Sequence, residues 1–470
     1  MRPTARTLLS QVASGFTEFD PPKDRPSKAD GPLGWPGYDE MRARAQDRTG
    51  ETESVVCGTG RAGGVEAVWL CFEFDYLGGS LGERTGDRIE AAHTRARELR
   101  LPVVTLVATG GSRMQEGMRA LVQLQRVARQ TALTGAAGLP QLAVVRDPTT
   151  GGGWATLAAG ADVVLGLPGA QAAFAGSRVR PPDADPAAYT VEAQHAAGHI
   201  DRIVPEAELP TALCRWLALL GGSADRPRQP EPVPVPYALP GPTACGRLPD
   251  SGPEAVARAR AAGRPRAAAY LDAFLTGREE IGGDRCSGTD TGVLCGFGLH
   301  EGRTVAYAAQ CGTPTRPAGY RTVARLVRMA GRLRIPVLTL IDTPGAANGS
   351  EDERAGAGPA IAEVFTAVAE ATVPITSLLI GEGGSGGALA LAAPGRLWTT
   401  PDSYFSVIAP EAAAAILKRD PDQVPRTAEE LRLRPQDAVE LGVARGVVET
   451  AHGAARTPGV PRPERRPGEE

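Results

Sequence analysis

The amino-acid sequence predicts an α/β fold laid down twice in tandem, and three observations carry that prediction. The segment RLPVVTL at 100–106 returns as RIPVLTL at 334–340, an offset of 234 residues. LPQLAVV from Leu139 pairs with VPITSLL from Val373 at the same offset. A glycine run follows each, TTGGGWATLAAGADVVLG from Thr149 and GGSGGALALAAPGRLWTT from Gly383, which brings Gly152 and Gly153 onto Gly386 and Gly387. Self-similarity at one spacing across three landmarks marks a duplicated unit. The 470 residues favour two or more domains at about 100–200 residues each.

The second copy shows the local pattern most clearly. Val323, Leu326, Val327, Ala330 and Leu333 fall at helical spacing with arginines between them, which predicts an amphipathic helix over 320–334. IPVLTLID then reads as a buried parallel strand ending in the loop TPGAANG. A second helix is expected near 357–371 and a buried strand at 373–380, after which the glycine run opens a further helix. The first copy repeats the order. Helix, strand and glycine loop in alternation form right-handed βαβ units, whose functional loops gather at the carboxyl ends of the strands. Around the copies, residues 1–50 read as an irregular N-terminal arm and 51–221 as the first domain. Residues 222–263 read as a proline-rich linker, 264–450 as the second domain and 451–470 as a disordered tail.

Composition narrows the function classes. The net charge is -3, from 51 basic and 54 acidic residues, so no global field holds nucleic acid or an anionic membrane. No stretch approaches the 18 or more apolar residues of a spanning helix, and no signal-peptide core is present, so a cytoplasmic protein is expected. The seven cysteines (Cys57, Cys71, Cys214, Cys245, Cys286, Cys295, Cys311) never form a CxxC pair, so neither a disulfide framework nor a metal site is expected. Lysine occurs only at 23, 28 and 418.

Four places put small residues directly after a buried strand: Thr109-Gly110-Gly111, Gly151-Gly152-Gly153, Asp342-Thr343-Pro344-Gly345 and Gly383 to Ala388. Glycine there lets the backbone approach a ligand and aims free helix-start N–H groups at it, which suits a phosphate or a developing oxyanion. Three other patterns compete. Gly381-x-Gly383-x-x-Gly386 with Asp402 fits a dinucleotide fingerprint, but Pro394 cuts the following helix short and the sister copy lacks the spacing. GxSxG occurs at Gly78-Ser80-Gly82 and at Gly383-Ser385-Gly387, the latter with Asp402 and His452 in hydrolase order, yet the sister run carries no serine. His195 and His199 stand at i, i+4 without an obvious third ligand and are expected to face solvent.

The residues also carry a family resemblance. FEFDYLGGSLGERTGDRI from Phe72, ATGGSRMQEG from Ala108, DPTTGGGWATLA from Asp147 and FAGSRV from Phe174 resemble the β subunit of the multisubunit acetyl-CoA carboxylase carboxyltransferase. RPAGYRTVARL from Arg316, IDTPGAANGSEDERAG from Ile341, IGEGGSGGALAL from Ile380 and YFSVIAPE from Tyr404 resemble its α subunit. The resemblance implies a crotonase fold, a spiral of ββα turns, in each half. It implies transfer of a carboxyl group from N-carboxybiotin, on a separate carrier protein, to the α-carbon of an acyl-CoA, most simply acetyl-CoA.

By the same resemblance two oxyanion holes are expected. Gly110 and Gly111 would face the thioester carbonyl, and Gly387 and Ala388 the biotin carbonyl. No side-chain base is required, because biotin can take the proton after losing carbon dioxide. Gly78, Gly79, Ser80, Gly82, Arg113, Gly176 and Arg178 are the matching CoA positions. Gly152, Gly153, Gly345 and Gly386 complete the glycine turns, and Arg316 and Arg321 are all that the shortened α-type loop CGTPTRPAGYR offers. A biotin carboxylase and a biotinylated carrier are implied as partners, and a homodimer, because the family's active site lies between unlike halves of two protomers. The β subunit's four-cysteine zinc ribbon is absent, no cysteine preceding Cys57. DTPGAANG has lost the aromatic residue of the α-type loop. A biotin-independent decarboxylase of malonyl thioesters and a non-catalytic scaffold of this fold are the alternatives.

Overall fold

A computed structural model describes residues 2–23, 28–222, 225–241 and 247–451. The first half contributes strands β1 (Ser14–Glu18), β2 (Val55–Ala62), β3 (Val65–Phe72), β4 (Val103–Thr109), β5 (Gln141–Thr150), β6 (Val163–Gly166), β7 (Ala172–Ala173) and β8 (Arg202–Ile203). They form one sheet in the order β1-β2-β3-β4-β5-β6-β8, with β7 against the end of β5. The second half contributes β9 (Thr276–Ile281), β10 (Val293–His300), β11 (Arg303–Gln310), β12 (Val337–Thr343), β13 (Ile375–Gly384), β14 (Leu397–Thr399) and β15 (Tyr404–Ser406). Their order is β14-β13-β12-β11-β10-β9, with β15 beside β13.

Each sheet opens with an antiparallel hairpin, β2–β3 or β10–β11, and continues in parallel pairings through β4–β5–β6 or β12–β13–β14. The parallel strands read as unbroken apolar runs because helices cover both faces. β4 and β12, β5 and β13, and the helices Glu83–Leu99 and Pro317–Leu333 all begin and end 234 residues apart, so the sequence repeat is a repeat in space. The expected helix over 320–334 starts three residues earlier, because Pro317 at its first position presets a helical φ.

The halves share one core. Leu213, Trp216 and Leu217, from the helix Leu209–Leu220, belong to the same buried cluster as Phe297, Tyr320 and Val327 of the second half. The Trp216 and Phe297 rings meet edge to face at 6.4 Å between centroids. Beside this contact the buried Asp201 accepts from Arg285 and Arg325, and Arg332 pairs with Asp162. Burial raises the Asp201 carboxyl, but the two guanidinium groups outweigh it and hold the group below its usual range.

Three expectations are corrected. The N-terminal arm is not irregular: Ala5–Val12 is a helix capped by Thr4, and its Leu8, Leu9 and Val12 are buried in the shared core. β1 extends the first sheet, and Tyr38–Thr49 is a second helix. The linker contains the helix Gly252–Arg260, whose N-cap Ser251 accepts from the Glu254 N–H at 3.3 Å and whose Ala255 and Ala259 are buried. His195 and His199 do not face solvent: both are half-buried, His195 bonded to the Ile200 carbonyl and His199 to Gln194 and to Ser287 of the other half. The expected disordered tail lies outside the described residues, apart from Ala451, as does His452.

Candidate active site

The two copies build the same loop framework at the carboxyl ends of their strands. β4 ends at Thr109 and turns through Gly110 and Gly111, and β12 ends at Thr343 and turns through Pro344 and Gly345. Gly111 and Gly345 have φ of +102° and +145°, a region that excludes ordinary side chains. The threonine hydroxyl accepts from the glycine N–H two residues on, at 3.0 Å from Gly111 and 3.1 Å from Gly345. A crossing loop clamps each turn. Leu81 N–H donates to the Gly111 carbonyl at 2.8 Å and Thr315 N–H to the Gly345 carbonyl at 3.1 Å, again 234 residues apart.

Against each turn lies the start of a short helix. Gly152 and Gly153 lead into Trp154–Ala158, and Gly384 is the N-cap of Ser385–Leu389. The first N–H groups of such turns have no intrahelical acceptor. Approach is close: a Cβ on Gly153 would strike the Thr109 side chain, and one on Gly387 would lie 2.5 Å from the Tyr320 hydroxyl and 2.6 Å from the Ala346 nitrogen. Gly386, next along, faces open space. Ser385 has φ +56°, a left-handed conformation that costs a non-glycine residue roughly 1–2 kcal/mol and gathers at functional turns.

Several expected site residues lie at these turns. Gly110, Gly111, Gly152 and Gly153 meet in the first half, and Gly345, Gly386, Gly387 and Ala388 in the second. Gly176 joins the first group, because a Cβ there would lie 3.6 Å from the Thr150 hydroxyl, while Arg178 is exposed on the same segment. Gly110 differs from expectation. Its N–H donates to the Gly78 carbonyl at 2.9 Å, so it ties two loops together and is not a free donor here.

Arg113 is also corrected. Its guanidinium is buried between Glu53 and Glu116 and donates to the Ser80 carbonyl at 2.8 Å and the Ser80 hydroxyl at 3.1 Å. It therefore positions the Gly78–Gly82 loop instead of reaching for ligand. Gly79 and Gly82 serve the same loop: Gly79 packs on the Ala108 carbonyl, and Gly82 caps the helix Glu83–Leu99. Burial raises the Glu53 carboxyl, and the adjacent guanidinium more than reverses this, leaving it at about 2. Arg316 pairs with Asp352 at 3.2 Å and Arg321 with the buried Asp284 at 2.7 Å, so both brace loops around the second turn.

The structure adds residues that spacing did not reveal. Asp342, fully buried at the end of β12, accepts from Arg264 at 2.9 Å, Arg266 at 3.0 Å and the Glu382 N–H at 3.1 Å. Arg264 reaches on to the Ile380 carbonyl at 2.7 Å, which fixes the ends of β12 and β13 beneath the Gly387 turn. A carboxylate inside an apolar strand run was the signal available for Asp342. Among the described residues no group of three or more His, Cys, Asp or Glu side chains could hold a metal ion.

Two family models match the chain: a carboxyl transferase domain over residues 36–201, and an acetyl co-enzyme A carboxylase carboxyltransferase-like family over 251–460. An acetyl-coenzyme A carboxylase carboxyl transferase subunits beta/alpha protein of Saccharopolyspora erythraea is 36% identical over 89% of this chain and 75% of its own length. The chain belongs to the acetyl-CoA carboxylase carboxyltransferase family. It is a fused form, with the β-type half first, and as an enzyme it is the carboxyltransferase component.

Another member of similar name from Salinispora arenicola is 37% identical over 87% of the chain and 76% of its own length. A probable biotin-dependent acyl-coenzyme A carboxylase beta3 subunit of Mycobacterium bovis is 32% identical over 90% and 85%. Among solved structures, the transcarboxylase 12S hexamer with hydrolysed methylmalonyl-coenzyme A superposes with a TM-score of 0.76 at 20% identity, covering 95% of this chain and 87% of that one. It shares the tandem crotonase-like fold. The carboxyltransferase thus keeps the family's two-domain build, with Arg113 and Asp342 holding the loops on which its glycine turns depend.

Proposed function

We propose that this chain transfers the carboxyl group of carboxybiotin, borne on a separate carrier protein, to the α-carbon of acetyl-CoA, giving malonyl-CoA. The supporting observation is the pair of matched glycine turns, one in the β-type half and one in the α-type half. Carboxybiotin supplies the carboxyl group; the chain's own contribution is electrostatic. The Gly111 N–H, once released from the Thr109 hydroxyl, and the helix-start N–H of Gly152 would receive the charge that builds on the thioester oxygen. Gly387 and Ala388 would serve the ureido oxygen, with the open space at Gly386 admitting a flat ring to the backbone. The exposed Arg178 would lie along the CoA chain.

A homodimer completes the reading, because it would bring the β-type turn of one protomer to the α-type turn of its partner. Apolar side chains stand exposed near both: Met114 and Phe174 in the first half, Leu389 and Val407 in the second. A biotin carboxylase and a biotinylated carrier are the partners this reading requires. No helix among the described residues is long and apolar enough to cross a membrane. The test is reconstitution. Acetyl-CoA with carboxylated carrier should yield malonyl-CoA only when the chain is present. Carbon dioxide release from malonyl-CoA without biotin would favour a decarboxylase, and no turnover of any acyl-CoA a scaffold.

A further inference from the structure

We propose that Gln310 is a positioning residue for the carboxyl transfer: its buried side-chain amide holds the Gly387 carbonyl and so aims the Ala388 N–H. Gln310 is the last residue of β11 and is fully buried. Its Nε2 donates to the Gly387 carbonyl at 3.2 Å and to the Thr315 hydroxyl at 3.0 Å. A carbonyl only accepts, so the amide nitrogen and not its oxygen must face Gly387, which fixes the orientation of the amide. The short helix Ser385–Leu389 leaves that carbonyl to Gln310. The Leu391 N–H, which a continuing α-helix would send to Gly387, goes instead to the Ala388 carbonyl at 3.2 Å, because the helix ends in a tighter turn.

The peptide unit is planar, so a grip on the Gly387 carbonyl sets the direction of the Ala388 N–H on its opposite edge. Ala388 is a donor of the biotin-side hole in the proposed function, on which this inference rests. The same amide reaches the neighbouring loop. Thr315, its second partner, clamps the Gly345 carbonyl through its own N–H at 3.1 Å, so one NH2 group ties the two turns of the second half together. The Gln310 amide oxygen is buried with no partner among the described residues. An unpaired buried acceptor costs free energy, so packing alone would favour an apolar side chain, and what Gln310 contributes is its donor. The first half is built otherwise. Val68 pairs with Val103 at the start of β4, and Ala306 with Val337 at the start of β12, which puts Phe72 where the second half has Gln310. The brace thus belongs to the turn proposed for the ureido oxygen, and Phe72 offers no such donor on the thioester side.

Gln310→Met, similar in length and volume but without the donor, is the test in the full chain. With acetyl-CoA and carboxylated carrier, kcat per acetyl-CoA binding site should fall about tenfold or more, while KM for acetyl-CoA and for the carrier stays within about twofold. Calorimetry counts the sites, which removes any loss due to unfolded chain. The same fall is expected in reverse, from malonyl-CoA to free biotin, because the hole would meet the ureido oxygen whether or not a carrier is attached. Gln310→Asn keeps a polar amide in the core but falls one methylene short of Gly387, and it should show the same fall even if the apolar variant does not fold. An unchanged kcat per site in either folded variant, a loss confined to the carrier assay, or a loss in both variants seen only as fewer binding sites overturns the proposal and leaves the function standing. A wild-type chain that transfers no carboxyl group to any acyl-CoA overturns the function, and the role of Gln310 with it.

Discussion

A methyl group on Gly387 would sit 2.5 Å from the Tyr320 hydroxyl and 2.6 Å from the Ala346 nitrogen, whereas one on Gly386 would meet nothing. The two glycines therefore separate packing from ligand approach. Gly387→Val should displace the turn and lower carboxyl transfer by about 10²–10³-fold, the usual cost of one oxyanion donor. Wild-type transfer in that variant would remove Gly387 from the hole. Gly386→Ala should leave the thermal midpoint unchanged, so a fall in kcat/KM there reports a ligand in the space the methyl now fills. A different single residue sets the acid response. Burial, helped by the Arg97 charge, holds the His93 imidazole at about 4 beside Thr134. The unfolded chain takes up that proton near pH 6.5, so stability falls as pH drops from about 6.5 to 4, by about 3 kcal/mol. Urea midpoints at pH 7 and pH 4.5 should differ strongly in the wild type and much less in His93→Gln.

At the scale of elements, the cluster around Arg113 joins segments that are far apart in the chain. Glu53 lies ahead of β2, Ser80 in the crossing loop and Glu116 after β4, and Tyr38, on the helix Tyr38–Thr49, donates to Glu116 at 2.6 Å. Arg113→Met would strand two buried carboxylates and should cost about 3–5 kcal/mol in urea denaturation. Glu53 contributes stability above its unfolded pKa of about 4.5 and loses it as pH falls through about 2, a window below that of His93. The parallel strands and the helix Pro317–Leu333 were legible because apolar runs and a 3.6-residue period are local signals. So were the glycine turns, where backbone approach demands glycine. The helix Gly252–Arg260 was readable too, since Ser251 followed by Glu254 is a helix-start signature, but the surrounding prolines masked it. Ala5–Val12 spans only two turns, and its meaning comes from a core assembled by distant residues. Arg113 was expected at the CoA by resemblance, and Glu53 and Glu116 carried no local signal, because only packing brings the three together, Glu53 and Arg113 across 60 residues.

For the whole molecule, the proposed homodimer would cover apolar side chains that stand exposed in both halves. Light scattering should find two chains, and Phe174→Asp or Val407→Asp should give folded monomers without carboxyl transfer. A folded wild-type monomer with full activity would count against the shared site. Within one chain, Trp216 on Phe297 and Asp201 between Arg285 and Arg325 join the halves through interior contacts, so thermal unfolding should show a single transition instead of two. The continuous peptide between the halves then matters mainly during folding. A protease site inserted after the exposed Arg228 should let the chain be cut without falling apart, the two pieces travelling together through a sizing column. Pieces made separately should each present a bare oily face and depend on chaperones or on meeting one another early. Producing both halves from one message guarantees that encounter and sets their numbers equal, an advantage of fusion that precedes any chemistry.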